Sequence, residues 1–439
     1  MTKGIDRRHL VMGSAAIGAV LAAAPAATGP LLRVDGARLR ETLEGLSRFG
    51  RPAGGSFADG VSRTAYSDAD IAGRAYAMDL MRNAGLDPAI DAAGNIIGRR
   101  AGSVSGAKPI IIGSHIDSVR AGGNFDGDVG SMAALEVLRT LDDHRIKTRH
   151  PIEMAIWSNE EGGTVGSTAF AGRLGPEALD NVYYGITLRD GLKRIGGDPD
   201  RLASAARPAG SIHGYLELHI EQGGVLAKAG IPIGVVDGIV AIDRFVVTVT
   251  GFANHAGTTP MAGRRNALIA AARLVEAVDM IVKAEPGRQV GTVGQLAVFP
   301  NAPNVIPGRV EMTVELRDLS EAKVAALGAA VQARAAGIAT ETGTTIDFHL
   351  AERVLAALAD PAVQARIETA ARALDLPFIH LPSGAGHDAQ LLAKLGPMGM
   401  IFVPSIDGIS HSPRELSTWS DCANGANVLL HTLLATDKA

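Results

Sequence analysis

Apolar residues recur at three- and four-residue intervals over residues 39–49 and 68–84, the mark of helices with one buried face. Residues 109–113 and 152–157 are instead short, nearly continuous apolar runs that read as buried strands, and residues 130–141 between them return to helical spacing. Strands alternating with helices predict an α/β fold with a mainly parallel sheet flanked by helices. Ligands of such sheets collect where the strands end. Here the apolar runs end in polar loops rich in glycine.

From about residue 240 the pattern changes. A strand (245–250), helix (266–282), strand (291–299), strand (310–316), helix (321–338) and strand (344–349) follow one another, the β-α-β-β-α-β order of a ferredoxin-like unit. Residues 239–352 are therefore expected to form an inserted α+β lid. The catalytic domain would span 27–238 and resume over 353–439, with a helix near 361–374.

The N terminus has its own character. Arg7 and Arg8 precede an Ala/Gly-rich apolar run from Leu10 to about Ala24, and Ala24, Pro25 and Ala26 supply the small residues of a cleavage site. Paired arginines before a mildly apolar run resemble a twin-arginine signal. This predicts that residues 1–26 are a removable export leader and that the mature chain is periplasmic. The run is shorter than the roughly 20 apolar residues a membrane span needs, and no other segment is long enough, so no span is expected in the mature chain.

Composition narrows the function. With 46% hydrophobic residues over 439 positions the chain can bury a large core, which excludes intrinsic disorder. Its 42 basic and 46 acidic residues include no basic block, which argues against a nucleic-acid groove and for a small polar ligand. Cys422 is the only cysteine, so neither an intramolecular disulfide nor a cysteine zinc site can form. A metal would have to sit on histidines and carboxylates.

Such residues gather at the strand ends. Segment 113–127 holds His115, Asp117 and Asp126 among glycines. A carboxylate two residues after His115 can orient its imidazole, and Asp126 has two oxygens with which to bridge two ions. A polar strand-to-helix loop is the plain alternative, and an EF-hand fails for want of ligand spacing and a closing Glu. Glu160 and Glu161 follow the next strand with no basic residue nearby: either a solvated pair, or one ligand beside one general base. Residues 216–223 alternate like a strand with Glu217 and His219 on one face, where His219 is a core histidine or a ligand. Two tight loops, 383–388 and 408–415, carry His387 and His411. Nucleophile readings are weaker, because 163–168 lacks the lysine of a phosphate loop and there is no G-x-S-x-G elbow.

Together these blocks resemble the M20 metallopeptidase and amidohydrolase superfamily, specifically its N-carbamoyl-L-amino-acid hydrolase, β-ureidopropionase and allantoate amidohydrolase branch. Segments 113–118, 124–127, 159–162, 217–223, 254–261, 301–308, 383–389 and 409–415 match in order over nearly the whole mature chain. The resemblance implies two divalent ions bridged by Asp126, with His115 and His219 on one and Glu161 and His411 on the other. Asp117 would orient His115, and Glu160 would be the general base toward a metal-activated water. Zn²⁺ suits these ligands, and Mn²⁺, Co²⁺ or Ni²⁺ can occupy them.

The resemblance further implies that His255 reaches the active site of a neighbouring subunit and stabilises the developing oxyanion, which makes the expected assembly a homodimer. Asn304 and Arg317 would hold the substrate's α-carboxylate, a task suited to the planar guanidinium fork; turn-residue and surface-salt-bridge roles are the alternatives. Gln222, Gly386 and His387 complete the candidate substrate contacts. The implied reaction is hydrolysis of the linear C–N bond of an N-carbamoyl-L-amino acid or related ureido acid, with allantoate, acyl-amino-acid or dipeptide hydrolysis as alternatives. A non-catalytic binding protein of the same shape should have lost a ligand, yet His115, Asp126, Glu160, Glu161, His219 and His411 are all present. Two departures stand out. Only Gly163, Thr164 and Val165 precede Gly166 and Ser167, so the loop beside Glu161 is short for this branch, and Asn266 replaces the usual Asp after the lid arginines.

Overall fold

The computed structural model describes residues 31–439, so the expected export leader lies outside the described residues. The largest of its three sheets has nine strands. Its centre is four neighbouring parallel strands, in the order Ile152–Trp157, Ile110–His115, Gly214–Ile220 and Met398–Val403. Every residue of these four strands is buried. Helices cover parallel sheets on both faces, which is why such strands read as continuous apolar runs rather than alternating ones.

The flanks are mixed. Ile96–Arg100 and Asp87–Ile90 extend one side antiparallel. On the other side Ile233–Ile239 runs antiparallel to Met398–Val403 and pairs in turn with Ala357–Leu358 and, in parallel, Phe378–Ser383. Helices Asp128–Asp143 and Trp419–Asp437 pack on the central strands and on each other.

The chain leaves the large sheet at Ile239 and continues, after Val240, as the strand Ala241–Thr250 of a second sheet. That sheet is antiparallel throughout: Val290–Thr292 and Leu296–Phe299 pair with Arg309–Asp318, which pairs with Ala241–Thr250, which pairs with Thr345–Val354. From Val310 on, Arg309–Asp318 alternates between buried and half-buried residues, as a strand with one covered face must. Helices Ala267–Ala284 and Glu321–Thr342 bury Leu274, Val278, Leu327 and Val331 against Val247, Val249, Val310 and Val314.

Two expectations change. The strand expected over 291–299 is two short strands, opposite Glu315–Arg317 and Arg309–Met312 respectively. The last strand does not stop near 349 but continues to Val354 through an irregularity between Leu350 and Glu352. Among the described residues no helix is long and apolar enough to cross a membrane.

Candidate metal centre and substrate pocket

The carboxyl ends of the four parallel strands supply one cluster. His115 closes Ile110–His115, His219 is the penultimate residue of Gly214–Ile220, Glu160 and Glu161 follow Ile152–Trp157, and His411 lies in the loop after Met398–Val403. Asp126 precedes the helix Asp128–Asp143 and sits at the centre. Its Oδ1 is 3.2 Å from His219 Nε2 and 3.8 Å from His115 Nε2. Its Oδ2 is 3.2 Å from His411 Nε2, which is 3.5 Å from Glu161 Oε2. Each carboxylate oxygen thus faces a different pair of donors.

Hydrogen bonds at the far side of two rings fix what they present. His115 Nδ1 donates to the Asp117 carbonyl at 3.0 Å and His219 Nδ1 to the Ile220 carbonyl at 2.9 Å. A carbonyl only accepts, so Nε2 is left as the atom turned toward Asp126. His219 Nε2 is buried without a hydrogen-bond partner. Such an orphaned nitrogen beside a carboxylate is a misfit in an apolar interior but suits a cation. The ligand atoms of His115, Asp126 and His219, and those of Asp126, Glu161 and His411, each fall within 4.8 Å of one another. The residues fit a pair of divalent ions.

Electrostatics agree with that fit. Burial, then the charges of Asp388 and Glu161, pushes Glu160 well above the usual carboxylate range. Burial, then Asp126, pushes Glu161 up to about 8. Burial would raise Asp126 too, but the imidazoles of His219 and His411 outweigh it and hold Asp126 well below the ordinary value. Burial lowers His115 to about 4, whereas contact with Asp126 takes His411 up to about 9 and, against burial, His219 to about 9. Carboxylates are crowded here with too little positive charge. Hard oxygens and imidazole nitrogens in that state are a donor set for divalent cations.

The carboxylate of Asp117 is not where the spacing placed it. It lies 3.9 Å from His115 Nδ1, and the main-chain carbonyl of the same residue holds the ring instead. The carboxylate accepts from the amides of Glu160, at 3.1 Å, and Glu161, at 3.2 Å. The carbonyl two residues on is nearer the ring, which leaves the side chain to fix the paired glutamates.

A cavity of about 610 Å³ opens over the cluster, and Gln222, Arg317, Gly386 and His387 line it together with His115, Asp126, Glu160, Glu161, His219 and His411. Gln222 Nε2 donates to Asp126 Oδ2 at 2.8 Å. His387 is buried, 2.8 Å from Ser383 Oγ and edge-on to His219 at a ring separation of 4.4 Å. The guanidinium of Arg317 donates to Glu315 at 2.7 Å and to the Gly384 carbonyl at 2.6 Å. His255 and Asn304 do not line the cavity. They share a loop pair of the small sheet, where the Ala256 amide donates to the Asn304 carbonyl and His255 bridges to Val305. His255 Nδ1 accepts from the amides of Gly257 and Thr258, at 3.0 and 3.1 Å, so its neutral ring carries the proton on Nε2 and is a donor there.

Three residues take supporting roles that the sequence reading did not assign them, although it had placed Glu217 on the face of His219. Glu415 Oε1 accepts from the Phe125 and Asp126 amides while Oε2 accepts from Ser410 Oγ, tying the Asp126 loop to the His411 loop. Its place at the end of segment 409–415 was the available signal. Glu217, behind His219, accepts from Ser114 Oγ, the Tyr215 hydroxyl and the Ala389 amide. Arg63 is wholly buried, donates to the carbonyls of Ile116, Leu46 and Phe49, and pairs with Asp128. A lone arginine in a loop offers no sequence signal for such a role.

A model of peptidase family M20/M25/M40 matches residues 111–435. An N-carbamoyl-L-amino acid amidohydrolase of Geobacillus stearothermophilus is 43% identical over 406 residues, which is 91% of this chain and 98% of that protein. An allantoate deiminase of Arabidopsis thaliana is 33% identical over 81% of this chain and 74% of its own length. Among solved structures, a hydantoinase/carbamoylase family amidase from Burkholderia multivorans superimposes with a TM-score of 0.85 at 39% identity, covering 93% of this chain and 99% of the other.

Proposed function

Because the chain belongs to peptidase family M20/M25/M40, we propose that it is a metal-dependent amidohydrolase that cleaves the linear C–N bond of N-carbamoyl-L-amino acids or related ureido acids. The observation that carries this reading is the position of Asp126, with one oxygen toward His115 and His219 and the other toward His411 beside Glu161. Those five residues would hold two divalent ions, Zn²⁺ by the donor set, with Mn²⁺, Co²⁺ or Ni²⁺ as substitutes. Such ions, when bound, polarise a carbonyl and make water a nucleophile at neutral pH.

The chain's own residues do the rest. Glu160 lies 3.7 Å from His115 Nε2 but belongs to neither ligand group, which frees its carboxylate to take a proton from the attacking water and return it to the leaving nitrogen. Asp117, through the two amides it accepts from, keeps Glu160 aimed. Arg317 holds the α-carboxylate, joined by Asn304 of the partner protomer, which shares a loop pair with His255, and Gln222, Gly386 and His387 bound the substrate. Water and the ureido compound yield the amine and carbamate, and carbamate decomposes to ammonia and carbon dioxide. Residues 239–352 act as a lid, and His255 of one protomer of a homodimer donates from Nε2 to the oxyanion in its partner's site. Residues 1–26 act as a twin-arginine leader to the periplasm; an exported protein whose intact mass still includes them contradicts this part.

The test is ammonia release by protein loaded with zinc or manganese, against carbamoyl-amino acids, β-ureidopropionate, allantoate and dipeptides. Turnover of carbamoyl-amino acids is expected. The 33% identical allantoate deiminase favours allantoate as the second reading, and a panel in which allantoate alone is cleaved selects it. Failure with every substrate at full metal content removes the proposal.

A further inference from the structure

Four basic side chains line the cavity: Arg173, Arg317, Arg353 and Lys394. Two are already engaged, Arg317 with Glu315 and the Gly384 carbonyl, and Arg353 in a two-pronged pair with Asp243 at 2.7 and 2.6 Å. The side chains of Arg173 and Lys394 make no hydrogen bond or ion pair among the described residues. The acids lining the cavity are all accounted for as well. Asp126 and Glu161 belong to the metal cluster, Glu160 stands against it, and Glu352 pairs with Arg244. The charge left without a partner in the cavity is positive, and it sits on two residues.

Those two residues lie just past the ends of two helices that share a wall of the cavity. Arg173 follows the short helix Val165–Phe170 and Lys394 follows the short helix Asp388–Leu392, and the two helices pack together. Only Gly162, Gly163 and Thr164 separate Glu161 from the first of these helices, so the short connection brings that helix against the metal cluster. Thr164 and Thr168, whose hydroxyl oxygens are 3.4 Å apart, line the same cavity, and Leu391 adds an apolar contact there. A guanidinium fork, an ammonium, hydroxyls and a short apolar wall are what a carboxylate on a stem of one or two methylenes requires.

We propose that Arg173 and Lys394 form an anionic side-chain subsite, so that the substrate class is the N-carbamoyl derivative of a dicarboxylic amino acid, with its second carboxylate on this pair. The inference rests on the proposed carbamoyl hydrolysis and adds the substrate's second charge. Both side chains are solvent-exposed, which limits each contact to the modest worth of a screened charge pair.

The experiment compares near-isosteric pairs, N-carbamoyl-glutamate with N-carbamoyl-glutamine and N-carbamoyl-aspartate with N-carbamoyl-asparagine, in the wild type and in Arg173→Gln, Lys394→Gln and the double variant. In the wild type, kcat/KM should favour the diacid several-fold, up to about tenfold. Added salt should shrink that preference, and the double variant should bring the ratio close to one, mainly by raising KM for the diacid. Equal rates on acid and amide in the wild type overturn the subsite. So does an equal loss on acid and amide in the double variant, which would make the pair the holder of the α-carboxylate. Turnover confined to carbamoyl derivatives of apolar amino acids overturns this inference and leaves the proposed function standing; turnover of no carbamoyl compound removes both.

Discussion

Glu160 is separated from its neighbour Glu161 by role rather than by residue type. Both are glutamates at one strand end, yet Glu161 approaches His411 and Asp126 while Glu160 faces His115 from outside either ligand group. Replacing Glu160 with Gln keeps the shape but exchanges an acceptor oxygen for a donor NH2 and removes the charge that takes a proton. The Glu160→Gln variant is expected to lose turnover by at least about a hundredfold while binding the same number of metal ions per chain by elemental analysis. Normal turnover, or loss of metal, would show that the two glutamates have been assigned the wrong way round. At this scale the cluster was largely legible in the sequence. Metal-binding chemistry confines the choice to histidines and carboxylates, and these stand out among glycines at strand ends. What the sequence hid was which atom of a residue acts. Spacing pointed to the Asp117 carboxylate for the His115 ring, whereas the carbonyl of that residue does the work. Gly127 is similar: with φ at 67° and the His115 ring where a Cβ would come within 2.3 Å, only glycine fits.

Helix Asp128–Asp143 carries the Asp126 loop at its start, so the seat of that helix on the sheet sets where the Asp126 carboxylate lies. Gly130 makes the seat possible. A Cβ at 130 would stand 2.1 Å from the Leu218 carbonyl and 2.9 Å from Ser114 Cβ, both in the strands that bear His219 and His115. Gly130→Ala must push the helix off the sheet, at a cost of about 1–3 kcal/mol, and carry Asp126 with it. Chemical denaturation should show that loss together with weaker metal binding. Gly294→Ala is the control, since a Cβ there meets nothing within 4 Å, and its stability should change by less than about 0.5 kcal/mol. An undisturbed Gly130→Ala protein would mean that the helix is less closely seated than described.

Elements with strong periodicity were read from sequence to within a few residues, such as the helix found at Asp68–Asn83 and the strand at Ile152–Trp157. What was misread or missed has physical causes. Val290–Thr292 and Leu296–Phe299 look like one strand because both halves pair with the same partner strand. Helix Val165–Phe170 has six residues, too few for a 3.6-residue period to declare itself, yet it forms a wall of the cavity.

At the scale of the whole molecule, His255 and Asn304, to which the family resemblance gave substrate roles, do not line the cavity of their own chain. Their loops are joined by main-chain bonds, and His255 has its Nε2 proton fixed by two amides on the opposite ring nitrogen. A donor so prepared is of use to a site it can reach. If it serves a partner's site across a two-fold axis, the two catalytic groups of one site come from different chains, and that can be separated genetically. His255→Ala and Glu160→Gln should each be nearly inactive alone. A heterodimer isolated from co-expression with two affinity tags contains one site with both groups, Glu160 from the His255→Ala chain and His255 from the Glu160→Gln chain. It should recover about half the wild-type rate. If His255 instead acts within its own chain, no site in that heterodimer has both groups and activity stays at the level of the parents. A wild-type monomer of full activity would likewise leave His255 with no oxyanion to serve in trans.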